Sequence, residues 1–211
     1  MSENQDLLKR LEEDLIEEGS LPPALRKAMI LGGRIGSPLL RDWAKQELDG
    51  YDTGPDDLPK YRRVPSAIQV DVQIGPSYTK GQTISPTVLP EYARDLFMEG
   101  APFFQGAATV EALAQSTSEE GGMRFAHARA LDVAADMDKR SGNPFQHINA
   151  LYWWVPHSGI VGIVDAIRNN LVGIIAELVD TADAPDTLPS GPDVDDVVRR
   201  IVQAGSRSSR T

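Results

Sequence analysis

Side chains that commonly bind metals or act as catalytic bases are few in this sequence and stand apart from one another. None of the three histidines, His127, His147 and His157, has a second metal-ligating residue three or four positions away. A structural or surface role is therefore the simpler interpretation of each. The chain has no cysteine, which excludes disulfides, thiolate nucleophiles and cysteine-ligated zinc. We predict no metal and no cofactor.

Two segments resemble ligand-binding motifs but lack the residues that define them. One loop holds four aspartates, yet the twelfth position counted from Asp49 is Lys60 and not the closing glutamate of an EF-hand. Gly32, Gly33 and Gly36 lie between two predicted helices, and no Gly-Lys-Ser/Thr follows them as in a phosphate loop. We favour a solvated loop for the aspartate segment and close helix packing for the glycine segment.

A polar group interrupts the most apolar helix predicted for the chain. Asp165 and Arg168 are three residues apart on one helical face, and Asn169 follows them. We predict a buried Asp165–Arg168 pair that fixes how the helix packs, with a ligand pocket as the alternative.

The helix that carries this group is predicted near 159–180, after a short aromatic strand and a Pro-His-Ser turn. Its apolar residues follow heptad spacing, and a second apolar row widens the seam beyond what one partner helix covers. Such a helix lies at the centre of a domain or is shared between protomers, so we expect self-association. On the preceding strand, Trp153 faces away from Tyr152 and Trp154, so at least one tryptophan belongs to the core.

The remaining pattern predicts an α+β fold that is mostly helical, with an N-terminal three-helix unit and a small antiparallel sheet. The sheet comprises a hairpin, formed by the alternating strand 68–74 and a strand near 78–84, and the aromatic strand 149–155. Helices are expected at 4–18, from Pro22, from Ser37, and at 90–99, 105–116 and 123–139.

The C-terminal part is predicted to be separate from this 1–180 domain. Residues 181–192 are rich in proline and aspartate, which is typical of a linker. Residues 193–205 form a short amphipathic helix that we expect to dock weakly or to bind another chain. Residues 206–211 are predicted to be a disordered tail.

The charge pattern narrows the choice of partner. The net charge is −10 and is spread evenly, without the basic cluster that nucleic acid or an acidic membrane surface requires. Asp165 and Arg168 near the middle of the one membrane-length apolar stretch also disfavour a membrane span. Together with an acidic N-terminal helix, these features predict a cytoplasmic protein.

Several motifs occur together in a recognisable order. They are Leu25-Arg26-Lys27, then Trp43, Glu47, Leu48, Gly50 and Tyr51, then Leu58-Pro59-Lys60-Tyr61-Arg62, and finally Asp165, Ile167, Arg168 and Asn169. Through them residues 5–90 and 148–180 resemble the AbiTii domain family of bacterial abortive-infection proteins. The resemblance implies a role in antiphage defence in a bacterial cytoplasm, and it carries over no catalytic residue.

Two hypotheses about function follow. The first is an interaction, oligomerisation or sensing module without catalysis, whose partner is a second copy, a defence-system protein or a phage component. The second is an enzyme or a small-ligand-binding toxin with a polar pocket around Asp165 and Arg168, to which Arg26, Arg62 and His157 contribute. The candidates for an interaction surface or a polar network are Trp43, Tyr51, Tyr61, Arg62, Trp153, Trp154, His157, Asp165, Arg168 and Asn169.

Overall fold

The computed structural model describes residues 3–17, 19–116, 121–180 and 189–204. The chain divides into two compact units. The first, here called the helical unit, comprises Met1–Arg62, Phe104–Ser116 and Val161–Thr211. The second, here called the sheet unit, comprises Arg63–Phe103 and Thr117–Ile160.

The helical unit begins with the three predicted helices, α1 (Glu3–Ile16), α2 (Leu21–Ile35) and α3 (Pro38–Asp49). Prolines in the first turns of α2 and α3 fit there because those amides have no partner within the helix. The Ser37 side chain caps α3 by accepting a hydrogen bond from the Leu40 amide. Gly36 ends α2 with φ 74°. Leucines at positions 8, 11, 21, 25, 31 and 40 are buried and bring the three helices together.

Two short 3₁₀ helices, Pro55–Asp57 and Lys60–Arg62, follow α3, and α5 (Ala107–Gln115) completes this part of the unit. Glu111 on α5 accepts hydrogen bonds from the Ser20 hydroxyl and the Leu21 amide, at 2.6 and 2.7 Å, and so caps the start of α2.

The long helix α7 (His157–Asp180) lies where the heptad pattern predicts it. In the helical unit its apolar row Ile163, Ile167, Leu171, Ile174 and Leu178 is buried, which confirms it as a core helix. Five residues on its other side are exposed, namely Asp165, Asn169, Val172, Ala176 and Val179.

The last helix, α8 (Gly191–Ala204), corrects an expectation. It is not weakly docked, because Val194, Val197 and Val198 are buried and α8 packs against α3. Asp195 of α8 accepts hydrogen bonds from the Ser37 hydroxyl and the Leu39 amide. Of the predicted linker, residues 181–188 lie outside the described residues, and so does the predicted tail 206–211.

The sheet unit is built on a four-stranded antiparallel sheet. Its strands are β2 (Ala67–Ile74), β3 (Ser77–Thr83), β5 (Gly122–Phe125) and β6 (Gln146–Pro156), in the order β3-β2-β6-β5. Two-residue strands β1 (Arg63–Val64) and β4 (Ala101–Pro102) form a second ladder. The unit also contains α4 (Glu91–Met98), α6 (Ala130–Ser141) and a 3₁₀ turn at Pro86–Val88.

The predicted α+β fold is confirmed, as are the hairpin and the aromatic strand. The helix expected at 123–139 is wrong over its first part. Residues 122–125 pair with β6 as strand β5, and the helix α6 begins only at Ala130. Helical spacing of alanines holds from Ala130 onward, whereas Met123 and Phe125 alternate with Arg124 as in a strand.

Candidate functional site

A buried ion pair lies at the centre of a polar cluster in the helical unit. Glu47 of α3 and Arg62 of the second 3₁₀ helix are both fully buried, and Arg62 Nη2 donates to Glu47 Oε2. Arg62 Nη1 donates to the Gln105 carbonyl at 2.6 Å. The Arg62 guanidinium also lies over the Tyr51 ring, 5.2 Å from its centroid. We call these residues, with Trp43 and Tyr61, the Glu47 cluster.

Two tyrosine hydroxyls complete the cluster. Tyr51 and Tyr61 both donate to Glu47 Oε1, and Trp43 Nε1 donates to the Tyr61 hydroxyl at 3.2 Å. Burial, together with the adjacent Glu47 carboxylate, raises the pKa of both tyrosines well above the ordinary value of 10. Both hydroxyls therefore stay protonated and act as donors. Because the ion pair has no exposed surface, the cluster joins three segments of the unit and offers no charged group to a ligand.

A second buried carboxylate lies on the central strand of the sheet unit. Asp71 Oδ1 accepts hydrogen bonds from the Gly81 amide at 2.8 Å and the Tyr152 hydroxyl at 2.9 Å. Its Oδ2 accepts from Arg124 Nη1 at 2.6 Å. The Arg124 guanidinium lies 4.4 Å from the centroid of the Tyr152 ring. We call these four residues the Asp71 cluster.

The electrostatics of the Asp71 cluster follow from these donors. Burial alone raises the pKa of Asp71, but the bonds from Arg124, Gly81 and Tyr152 outweigh it, so the pKa lies below 3.8. Burial and the bond to Asp71 raise the pKa of Tyr152 to about 12. At neutral pH, Asp71 is thus a carboxylate that holds Arg124 in a fixed orientation.

Both ladders of β2 shift register beside Asp71. Opposite the β2 segment from Val70 to Val72, strand β3 has one extra residue. Opposite Asp71 and Val72, strand β6 also has one extra residue, Asn149. Such bulges are frequent next to functional sites, where they redirect a side chain. Here the β3 bulge contains Lys80 and Gly81. Gly81 has φ 71°, which favours glycine, and its amide points at Asp71.

A pocket of about 220 Å³ opens beside the Asp71 cluster. It is lined by Gln69, Lys80, Gly81, Arg124 and Trp154. We call it the sheet pocket.

The helical unit carries a larger and more apolar depression of about 660 Å³ between α1 and α7. We call it the α1/α7 groove. Its lining residues are Glu12, Leu15, Ile16, Val172, Ile175, Ala176, Val179 and Asp180.

The structure brings some of the predicted site residues together. Trp43, Tyr51, Tyr61 and Arg62, four of the candidates for an interaction surface or a polar network, meet in the Glu47 cluster. Of the aromatic strand, Trp153 is fully buried and donates to the Phe97 carbonyl, whereas Trp154 is half-buried at the sheet pocket. That one tryptophan belongs to the core is thus confirmed.

The predicted buried pair on α7 is wrong. Asp165 and Asn169 are exposed, and Arg168 donates to the Gly19 carbonyl at 2.9 Å. Asp165 lies two residues from the buried Ile163 and Ile167, a rotation of about 200° on a helix, so it points away from the core. His157 begins α7, where its amide donates to the Gly121 carbonyl at 3.0 Å.

Three functional candidates were missed from the sequence. Asp71 stands in the middle of an alternating strand, where aspartate is disfavoured, and that signal could have identified it. The sequence around Lys80 and Arg124 gave no comparable indication. The position of Lys80 depends on the β3 bulge, and the position of Arg124 depends on the pairing of β5 with β6. Among the described residues, no group of three or more His, Cys, Asp or Glu side chains could hold a metal ion.

By length and composition, one helix in the described part of the chain, His157–Asp180, is long and apolar enough to cross a membrane. The core helix of a soluble protein passes the same test.

The fold is α+β, and the sequence motifs at 43–51 and 58–62 converge on the Glu47 cluster. The model of the AbiTii family matches residues 6–198 of the 211-residue chain. The chain therefore belongs to the AbiTii family. Membership of this family implies a role in abortive infection, a form of antiviral defence. No curated protein and no solved structure matches the chain.

Proposed function

We propose that this chain is a protein-interaction module of a bacterial abortive-infection system, acting in the cytoplasm. Its docking surface is the α1/α7 groove, and the occupant is an amphipathic helix of a partner protein with basic residues beside its apolar stripe. Family membership supports the defence context. The α1/α7 groove supports the proposal that the chain acts by binding a partner protein.

The single observation that carries this proposal is an exposed apolar row on a core helix. Val172, Ala176 and Val179 follow each other at spacings of four and three residues on the exposed side of α7. This is the spacing with which one helix packs against another. Ile16 of α1 is 74% exposed beside them. An apolar groove between two helices is a common binding site for an amphipathic helix.

Charge selects the kind of partner. The groove is lined by the carboxylates of Glu12 and Asp180 and by no basic side chain among the residues that form it. A helix with lysine or arginine beside its apolar stripe places opposite charges against these carboxylates. A second copy of the chain, with net charge −10 and the same acidic groove, brings like charges together.

The binding test compares two synthetic peptides with one apolar stripe, one with lysines and one with glutamates beside it. We expect the lysine peptide to bind in fluorescence anisotropy and to weaken as salt rises, and the glutamate peptide not to bind. Replacing Val172 and Val179 together by aspartate should abolish binding. The matched control is Leu131→Asp on α6, which changes another exposed apolar residue, at 72% exposure.

The defence test measures plaque formation on a host that expresses each variant. The groove variant should lose protection while the Leu131→Asp variant protects normally. The melting temperature of the groove variant should stay within about 3 °C of the parent, because surface substitutions change stability by about 0.5 kcal/mol or less.

Three results contradict the proposal. A large fall in melting temperature means that the chain itself covers the groove. A dimer by light scattering that the groove variant converts to monomer means that the occupant is a second copy. Full phage protection by the groove variant means that the groove has no part in defence.

A further inference from the structure

The sheet pocket contains two polar groups that the fold itself does not use. Lys80 is exposed and makes no ion pair with any described residue. Trp154 Nε1 likewise has no hydrogen-bond acceptor among the residues that the structure describes. Both side chains line the same cavity, on a sheet whose opposite face is apolar core.

The Trp154 indole is held in place from the neighbouring strand. A Cβ atom on Gly122 of β5 would lie 3.0 Å from the indole Nε1 and Cε2 atoms and 2.6 Å from the Val155 carbonyl oxygen. Only glycine at this position lets the indole lie this close to β5. The indole therefore packs against β5 and forms part of the pocket wall, where an aromatic ring can stack with a planar group.

One of the two positive charges of the pocket is oriented by the fold before any ligand arrives. Arg124 is oriented by its 2.6 Å bond to Asp71 and by its position over the Tyr152 ring. Lys80 projects from the bulge of β3, whose Gly81 amide is bonded to the same carboxylate. Among the described residues, Lys80 and Arg124 place positive charge on the pocket lining, and Asp71 lies behind Arg124. Gln69 adds an amide that can both donate and accept.

Size and charge together restrict the ligand. A volume of about 220 Å³ is below the range of about 300–1,000 Å³ typical of drug-sized ligands, so the pocket fits one planar ring with its anionic group at the open side. A nucleic acid strand requires a track of basic residues, which a chain of net charge −10 without a basic cluster does not provide.

We propose that the sheet pocket binds a free mononucleotide, with the base stacked on Trp154 and the phosphate between Lys80 and Arg124. Gln69 meets the edge of the base. Asp71 is a positioning residue, since it orients Arg124 and the β3 bulge and does not touch the ligand. The site lies in the sheet unit and is independent of the α1/α7 groove.

The experiment titrates the full chain with AMP, GMP, CMP and UMP by calorimetry and by tryptophan fluorescence. At least one mononucleotide should bind and quench the fluorescence. Adenosine without phosphate and inorganic phosphate alone should each bind at least about tenfold more weakly, because each makes only half of the contacts.

Four variants assign the binding to the pocket. Lys80→Ala should weaken binding about tenfold, as loss of one charge-assisted contact does, without changing the melting temperature. Trp154→Leu should weaken it about tenfold or more, whereas Trp154→Phe keeps a ring and should retain affinity within about threefold. The matched control is Lys60→Ala, another exposed lysine without an ion pair to any described residue, and it should bind normally.

Each of the following results overturns the proposal. No mononucleotide binds at millimolar concentration. Inorganic phosphate binds as tightly as every mononucleotide, which shows an anion site only. A short single-stranded RNA binds more tightly than any mononucleotide, which shows a polymer ligand. Lys80→Ala binds like the parent, which places the ligand elsewhere whether or not Trp154→Leu folds.

Discussion

At the scale of single residues, the buried carboxylates Glu47 and Asp71 have different consequences. Glu47 faces Arg62 where neither side chain has exposed surface, so each is the buried counter-charge of the other. Asp71 is also buried, with 6% of its side chain exposed, but its partner Arg124 keeps 35% of its side-chain surface exposed. The first carboxylate therefore fixes the fold, while the second orients a cation that solvent and solutes reach.

The Glu47–Arg62 pair should be strongly coupled. Arg62→Met leaves a buried carboxylate without its counter-charge and should cost about 3–5 kcal/mol in urea unfolding. Replacing Glu47 by Leu as well should recover part of that loss, since neither charge then stays buried alone. The control is the same set of single and double substitutions at the exposed pair Lys45–Asp49. Its coupling free energy should be less than about 1 kcal/mol. Additive effects at Glu47 and Arg62 would count against the coupling.

His127 should make stability depend on pH. Burial, with a smaller contribution from Arg129, lowers the pKa of this histidine below 6.5. Its ring lies 5.8 Å from the Trp153 ring and its Nδ1 accepts the Arg129 amide, so protonation breaks a bond. As the pH decreases, the unfolded chain is protonated at this histidine before the folded protein is. The free energy of unfolding should therefore fall as the pH decreases below about 6.5.

The check is the melting temperature of the parent and of His127→Asn from pH 8 to pH 5. Asparagine can accept the same amide bond but does not titrate. The difference between the two proteins should therefore change across this range, with the parent losing more on the acid side. A constant difference would mean that His127 titrates alike in the folded and unfolded states.

At the scale of elements, α7 and α8 show what a pattern of apolar residues can and cannot predict. The heptad seam placed α7 correctly, because an apolar row of that length must be buried against other helices. The same pattern could not say which side stays exposed, and Asp165 was assigned to the wrong side. For α8 the apolar row was identified, but its partner α3 lies too far away in sequence for a local pattern to identify.

Helix α8 should stabilise the helical unit. Truncation after residue 188 removes the buried Val194, Val197 and Val198 and takes Asp195 away from the Ser37 cap. Each buried valine contributes about 1.5–3 kcal/mol, so the loss should amount to several kcal/mol in urea unfolding. Truncation after Ala204 is the matched control and should melt like the parent. If both truncated proteins melt alike, α8 contributes nothing to the core.

At the scale of the whole molecule, the sequence predicted the parts better than their assembly. The fold class and the aromatic strand followed from local spacing, whereas the motifs named four residues of the Glu47 cluster without showing that they meet. The sheet pocket did not, because it depends on how β5, β6, β2 and β3 are aligned, and on two bulges that this alignment requires. Register between strands distant in sequence is set by packing, and a single sequence does not display it.

The division into two units also determines the order in which a growing chain can fold. The sequence of the sheet unit is complete once Ile160 has been synthesised, whereas the helical unit still lacks Val161 onward. Until then, the helical unit lacks α7 and α8, whose buried apolar side chains belong to its core. An incomplete core exposes apolar surface, which makes nascent chains prone to aggregate. Residues 1–62 are therefore synthesised before the segment from Val161 onward that completes their unit, and the helical unit can reach its final state only after that segment has been made.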